Sequence, residues 1–166
     1  MAERLREGRA WAFGDRIDTD VLAPGSLMKL APRELAAHCL AAVRPDFADR
    51  VRDGDVLVAG EAFGVGSSRE QAAVSLKLLG VQAVLAKSFA RIFYRNAFNL
   101  GLPALRLPAD AVIADGDRLA IDYRAGRVDN LTRGTAIAVS PIPANLLAIV
   151  EAGGLMAYLK QRGAAQ

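Results

Sequence analysis

The residues of this chain best suited to chemistry lie in one run, Gly64-Val65-Gly66-Ser67-Ser68-Arg69-Glu70. Gly64 and Gly66 admit backbone conformations closed to other residues and leave amide N–H groups uncovered. The helix expected to follow offers unpaired N–H donors and a partial positive charge, which together favour an anion. Arg69 adds a planar, permanently charged fork matched to a carboxylate or phosphate, and Ser67 and Ser68 add hydroxyls. The expected ligand is a small anionic molecule bearing carboxylates. A second reading is purely structural. A serine at a helix start commonly caps it, and Ser67 with Glu70 three positions on fits a capping box.

Other chemistries fit this run poorly. There is no Gly-Lys-Ser/Thr ending for a phosphate loop, and GEAFGVG lacks the dinucleotide glycine spacing. A serine-hydrolase elbow needs G-x-S-x-G and a histidine, but the sole histidine, His38, lies far upstream on an expected helix. His38 reads as a polar or half-buried helix position. Asp18, Thr19 and Asp20 read as a turn- or helix-capping cluster. Arg91 and Arg95 stand four apart on one expected helical face, which points to a solvated or interface surface and only weakly to substrate contact.

The elements that position these residues follow from apolar spacing and punctuation. A β-like stretch over 9–13 leads into the polar turn GDRIDTD and a Pro/Gly-bearing segment over 23–29. A helix opens at Pro32, carries Leu35, Cys39, Leu40 and Val43 on one face, and stops at Pro45. Val56 to Ala59 is a short apolar run, read as a buried strand, that feeds the glycine-rich segment. A helix over 68–79 then closes at Gly80, with Ala72, Leu76 and Leu79 on its apolar stripe. A strand over 81–86, a helix over 89–100 and a short apolar stretch after Pro103 complete a βαβ unit with a right-handed crossover. Beyond Pro108, DGDRLAIDY, GRVDNL and GTAIAV read as an antiparallel meander, and two short helices flank Gly153-Gly154. The expectation is one α/β domain over 1–166, in three layers with mixed sheet content.

Composition narrows the class. In 166 residues, 21 Lys and Arg face 18 Asp and Glu, giving a net charge of +3. Hydrophobic residues at 52% with charged residues at 23% exclude a disordered or collagen-like chain. No apolar run reaches the roughly 18 residues of a membrane span, and the start MAERLREGRA lacks a leader's apolar core. The expected location is therefore the cytoplasm. One cysteine, Cys39, excludes an internal disulfide and any site built on several thiolates of this chain, so no metal is expected. Basic residues are interleaved with acids rather than gathered in a stripe, which argues against nucleic acid.

Three segments carry a family resemblance: GDRIDTDVLAPG, VAGEAFGVGSSRE and GVQAVLAKSFARIFYRNAFNLGLPAL. They resemble the small subunit of 3-isopropylmalate dehydratase, which corresponds to the swivelling fourth domain of aconitases. The resemblance runs from about Gly8 to the closing AGGLMAYL, and its central block, residues 60–105, is long and specific. It implies a three-layer β/β/α swivelling domain and a hydro-lyase, most simply one converting 2-isopropylmalate to 3-isopropylmalate in leucine biosynthesis. It also implies a large-subunit partner, in a heterodimer or higher assembly, that carries a 4Fe–4S cluster on its own cysteines, with the active site between the chains. By position, Ser67 would be the base that takes a carbon-bound proton, and Gly66, Ser68 and Arg69 would hold substrate carboxylate. Asp18, Thr19 and Asp20 would stand at the active-site rim. The chain departs from the family pattern at Val65 and Gln71, where Cys and His are usual, and at PGSLMKL, which replaces a PxRYL-like stretch. The last difference opens one alternative, a paralogue for a methylmalate, dimethylmalate or homoaconitate-type acid. A separate alternative is a non-catalytic carboxylate-binding module, against which the intact GSSRE argues.

Overall fold

The computed structural model describes residues 6–164. Residues 1–5, part of the start read as free of a leader, and 165–166 lie outside the described residues. The first half of the chain forms β1 (Glu7–Ala12), α1 (Thr19–Leu22), α2 (Pro32–Ala36), α3 (Phe47–Arg50), β2 (Val56–Ala59) and α4 (Gln71–Leu78). The second half forms β3 (Ala83–Ala86), α5 (Arg91–Asn99), β4 (Ala104–Arg106), β5 (Arg118–Asp122), β6 (Arg127–Asn130), β7 (Thr135–Ala138), α6 (Ala144–Ala152) and α7 (Leu155–Ala164).

Strands β2 and β3 are apolar and buried at every position, as strands covered on both faces must be. They sit inside one seven-stranded sheet of order β4-β3-β2-β1-β5-β6-β7. The side from β4 to β1 is parallel, and the side from β5 to β7 is the expected antiparallel meander. β1 joins the two. Its residues Ala10, Trp11 and Ala12 run parallel to Val56, Leu57 and Val58, while Glu7, Gly8 and Arg9 run antiparallel to Ala120, Leu119 and Arg118. The α/β expectation with mixed sheet content holds.

Trp11 anchors that junction. It is fully buried, and its Nε1 donates to Asp55 Oδ2 at 2.9 Å, so the indole loses no hydrogen bond on burial. The guanidinium carbons of Arg9 and Arg44 lie 3.8 and 4.4 Å from the centre of its ring, a pair of cation–π contacts. Phe47 meets it edge-on at 5.2 Å between centroids.

Three helices differ from the periodicity reading. α4 starts at Gln71 rather than at residue 68, and its N-cap is Glu70 with no side-chain capping bond. Ser67 is thus neither a cap nor part of a capping box: its Oγ pairs with Thr19 Oγ1 rather than accepting a helix N–H, and its N–H goes to Thr19 Oγ1 rather than to Glu70. α2 stops at Ala36 rather than running to Val43. There the chain turns so that Leu40, at φ 62, sends its N–H to Val21 O at 3.0 Å. His38 is consequently an exposed turn residue rather than a helical one, and Val43 is exposed. α5 begins at Arg91 because Ala90 N–H bonds Phe63 O, extending a short parallel bridge between Phe63 and Phe89. Among the described residues, no helix is long and apolar enough to cross a membrane.

Candidate active site

The glycine-rich segment leaves the end of β2 and is clamped from two sides before it reaches α4. On one side Arg16 N–H bonds Glu61 O at 2.7 Å, Gly64 N–H bonds Ile17 O at 2.7 Å, and Thr19 N–H bonds Val65 O at 2.9 Å. On the other, Phe63 N–H bonds Ser88 O at 3.0 Å, and Ser88 Oγ accepts Ala62 N–H while donating to Glu61 Oε2, both at 2.7 Å. Ala62 and Arg16 adopt left-handed backbone, with φ 59 and 56. Such strain persists only where surrounding bonds over-determine the conformation.

Two glycines are required by close approach. A Cβ on Gly64, at φ +81, would lie 2.3 Å from Phe93 Cβ. A Cβ on Gly66, at φ +118, would lie 2.9 Å from Thr19 Oγ1. Both let the segment press against its neighbours, so Ser67 is carried to a fixed place at the surface.

Ser67 is exposed and helps line an open pocket of about 420 Å³ with Gly64, Val65, Gly66, Ala90, Arg91, Ile92 and Arg95. Behind it stands the buried Thr19, whose Oγ1 lies 3.2 Å from Ser67 Oγ and accepts Ser67 N–H at 3.1 Å. Ser68 is exposed, and its carbonyl accepts from Asn96 Nδ2 at 3.4 Å. Among the described residues, the amides of Ser68, Arg69, Glu70 and Gln71 donate to no protein acceptor, which leaves a row of N–H groups leading into α4.

Arg69 is half-buried. Its Nη1 donates to Ala23 O at 2.7 Å and to Asp20 Oδ1 at 3.3 Å. Asp20 also accepts Gly25 N–H at 2.8 Å. That bond first, and Arg69 second, hold the Asp20 carboxyl below its ordinary value. The segment 24–30, a 3₁₀ turn over Gly25–Leu27 followed by Met28, therefore folds against the guanidinium. Asp18 caps α1, accepting Val21 N–H at 2.8 Å.

The residues singled out in the sequence thus come together: Thr19 meets Ser67, Asp20 meets Arg69, and Asp18 holds the helix that carries both. The Ser88–Glu61 clamp has no spacing signature and was missed. Arg91 and Arg95 line the Ser67 pocket and form no ion pair among the described residues. Their four-residue spacing was the available signal. Val65 lines the same pocket, and Gln71 is exposed as the first residue of α4.

The site does not fit a metal cluster of its own. Cys39 is fully buried and desolvation raises its thiol well above the ordinary range. Among the described residues, no three His, Cys, Asp or Glu converge as ligands.

An open site at the end of β2, built on a glycine-rich segment and on Asp18, Thr19 and Asp20 at the start of α1, can be set beside known proteins. Residues 41–110 match the family described as Aconitase C-terminal domain. The chain is 50% identical over 160 residues to the methanogen homoaconitase small subunit of Methanothermobacter thermautotrophicus, covering 95% of this chain and 93% of the relative. It is 49% identical over 158 residues to 3-isopropylmalate dehydratase small subunit 1 of Thermotoga maritima, covering 94% and 95%. The solved structure of 3-isopropylmalate dehydratase from Methanocaldococcus jannaschii superposes with a TM-score of 0.92 at 44% identity, covering 98% of both chains. The chain belongs to the 3-isopropylmalate dehydratase small-subunit family of the aconitase superfamily, and its fold is the aconitase swivelling domain. Small subunits of these hydro-lyases imply a large-subunit partner.

Proposed function

We propose that this chain, acting as one swivelling domain, is the small subunit of a cytoplasmic 3-isopropylmalate dehydratase that isomerises 2-isopropylmalate to 3-isopropylmalate in leucine biosynthesis. It works in a heterodimer or higher assembly with a large subunit that carries the 4Fe–4S cluster, and it binds neither nucleic acid nor membrane. The observation that carries this reading is the placement of Ser67. Ser67 is exposed at an open pocket that Arg91 and Arg95 also line, next in the chain to a row of amides, and among the described residues those amides have no acceptor and those guanidinium groups no ion pair.

In this reading Ser67 Oγ, as an alkoxide, takes the proton from a substrate carbon. The C–H electron pair becomes the double bond as hydroxide leaves the adjacent carbon, and re-addition of water at the other carbon gives the isomer. A serine oxygen is a poor base unless its anion is stabilised, and backbone donors and positive charge supply that stabilisation. Arg69 and the amides of Gly66 and Ser68 hold a substrate carboxylate, fixing the C–H bond against Ser67. Asp18, Thr19 and Asp20 form the rim that supports them.

A second reading, a homoaconitate-type acid or a smaller methylmalate or dimethylmalate, is favoured by the segment 24–30. It lies against Arg69 and lacks the PxRYL-like stretch, and the homoaconitase relative is as similar as the isopropylmalate enzymes. The deciding experiment is anaerobic reconstitution with the cluster-bearing large subunit, assayed against a panel of these hydroxy acids. Turnover of 2-isopropylmalate alone supports the first reading, and turnover of another acid alone supports the second. In the same assembly Ser67→Ala is expected to abolish turnover without preventing subunit association. Wild-type rates in that variant would remove Ser67 as the base.

A further inference from the structure

Thr19 occupies an unusual position for a rim residue, because both of its bonds go to the same partner. It is only 3% exposed, and among the described residues its hydroxyl contacts no polar atom other than Ser67 N and Ser67 Oγ. A hydroxyl has one hydrogen to donate and two lone pairs to accept with. One lone pair of Thr19 Oγ1 receives Ser67 N–H at 3.1 Å. Its single hydrogen then has one acceptor within reach, Ser67 Oγ at 3.2 Å. The opposite assignment, with Ser67 donating to Thr19, leaves a buried O–H without an acceptor, which folded proteins avoid. The same accounting leaves the hydrogen of Ser67 free to face the pocket.

We infer that Thr19 is a positioning residue for the reaction: its hydroxyl donates to Ser67 Oγ, so that loss of the Ser67 proton yields an oxyanion that already faces a hydrogen-bond donor. Thr19 keeps its own proton throughout and transfers nothing. Hydrogen bonds to an ionised oxygen are shorter and roughly twice as strong as neutral ones, so the stabilisation grows as Ser67 becomes a base. Three features keep the two oxygens at bonding distance. Thr19 N–H is tied to Val65 O, Asp18 caps the helix that bears Thr19, and Gly66 leaves the gap that a Cβ would close.

The inference rests on Ser67 acting as the base, and the test separates the two. The large-subunit complex is assembled with Thr19→Val, Thr19→Ser, Thr19→Cys or Ser67→Ala, and kcat/KM is followed against pH. Thr19→Val is expected to lower kcat/KM by about 10- to 100-fold, the range for losing a hydrogen bond to a charged group. It should also move the rising limb of the profile to higher pH by about one unit, since one pKa unit is a tenfold change. Thr19→Ser, which keeps the hydroxyl, restores both. A lower rate with an unmoved limb would show that Thr19 only shapes the loop, and a wild-type profile would show no role; either result overturns the inference. Should Thr19→Val fail to assemble, Thr19→Cys replaces the hydroxyl by a weaker donor without the γ-methyl, and an unshifted limb there is equally fatal. If Ser67→Ala remains active, the reading of Ser67 falls. If Ser67→Ala is inactive while the Thr19 profiles match wild type, this inference alone falls.

Discussion

Asp20 and Arg69 are 49 positions apart in the chain, yet Asp20 Oδ1 lies 3.3 Å from Arg69 Nη1 and also accepts Gly25 N–H. One carboxylate therefore fixes both a guanidinium of the candidate site and the turn beside it. With its carboxyl held below 3.8 by these bonds, Asp20 favours the folded form at every pH above its unfolded value. That contribution fades as pH falls through the depressed folded value. Asp20→Asn is accordingly expected to melt earlier than wild type at pH 7. The difference should close in acid, below about pH 4, as followed by thermal unfolding across a pH series. A gap that persists unchanged at pH 2 would remove the ionised pair as its cause.

The two kinds of glycine should respond differently to a methyl group. Gly64→Ala must meet Phe93 as well as the left-handed backbone, and is expected to cost about 3 kcal/mol or more. Gly134 has the same handedness, at φ +68, with nothing within 4 Å of an added Cβ, so Gly134→Ala should cost only about 1 kcal/mol. Urea denaturation of the two variants checks the order, and equal losses would show that packing against Phe93 contributes nothing.

Ser88 and Ala62 make a paired test of the loop clamp. Ser88→Ala leaves Ala62 N–H and Glu61 without their partner and should cost about 0.5–1.5 kcal/mol. Ala62→Gly relieves the left-handed strain at φ 59 and should raise stability by about 0.5–1 kcal/mol. Opposite shifts in denaturation midpoint are the expected outcome.

Cys39 offers a chemical check on where a cluster can be held. Fully buried and with its thiol raised by desolvation, it should resist Ellman's reagent in the native protein and react at once in guanidinium. Cys39→Ala should lower stability by about 1 kcal/mol or more through the cavity left behind, yet leave turnover of the reconstituted complex intact. Lost turnover in a folded, assembled variant would place the thiol in the chemistry.

Much of the sheet was readable because its signals are local. Val56-Leu57-Val58-Ala59 announces a doubly covered strand whatever surrounds it, and the turn residues of the meander mark β5, β6 and β7. The start of α4 was misread because it is decided elsewhere. Ser67 has the composition of a cap, but its Oγ faces Thr19, 48 positions earlier, and accepts no N–H of the helix, which begins only at Gln71. α2 shortens for the same reason, since Leu40 N–H is claimed by Val21 O. The location of the candidate site was legible in Gly66, Ser67 and Arg69, whereas the Ser88–Glu61 bonds and the placement of Arg91 and Arg95 beside Ser67 depend on how distant elements meet.

The central strand β1 also sets a constraint on biosynthesis. It is made first, but its neighbours begin at Val56 on one edge and Arg118 on the other. Until the ribosome has released Arg118 to Asp122, the fully buried Trp11 belongs to a ribbon with one bare edge, and unpaired edges invite association with foreign chains. Emergence of β2 alone therefore leaves the sheet open at its middle, and only the arrival of β5 seals that edge.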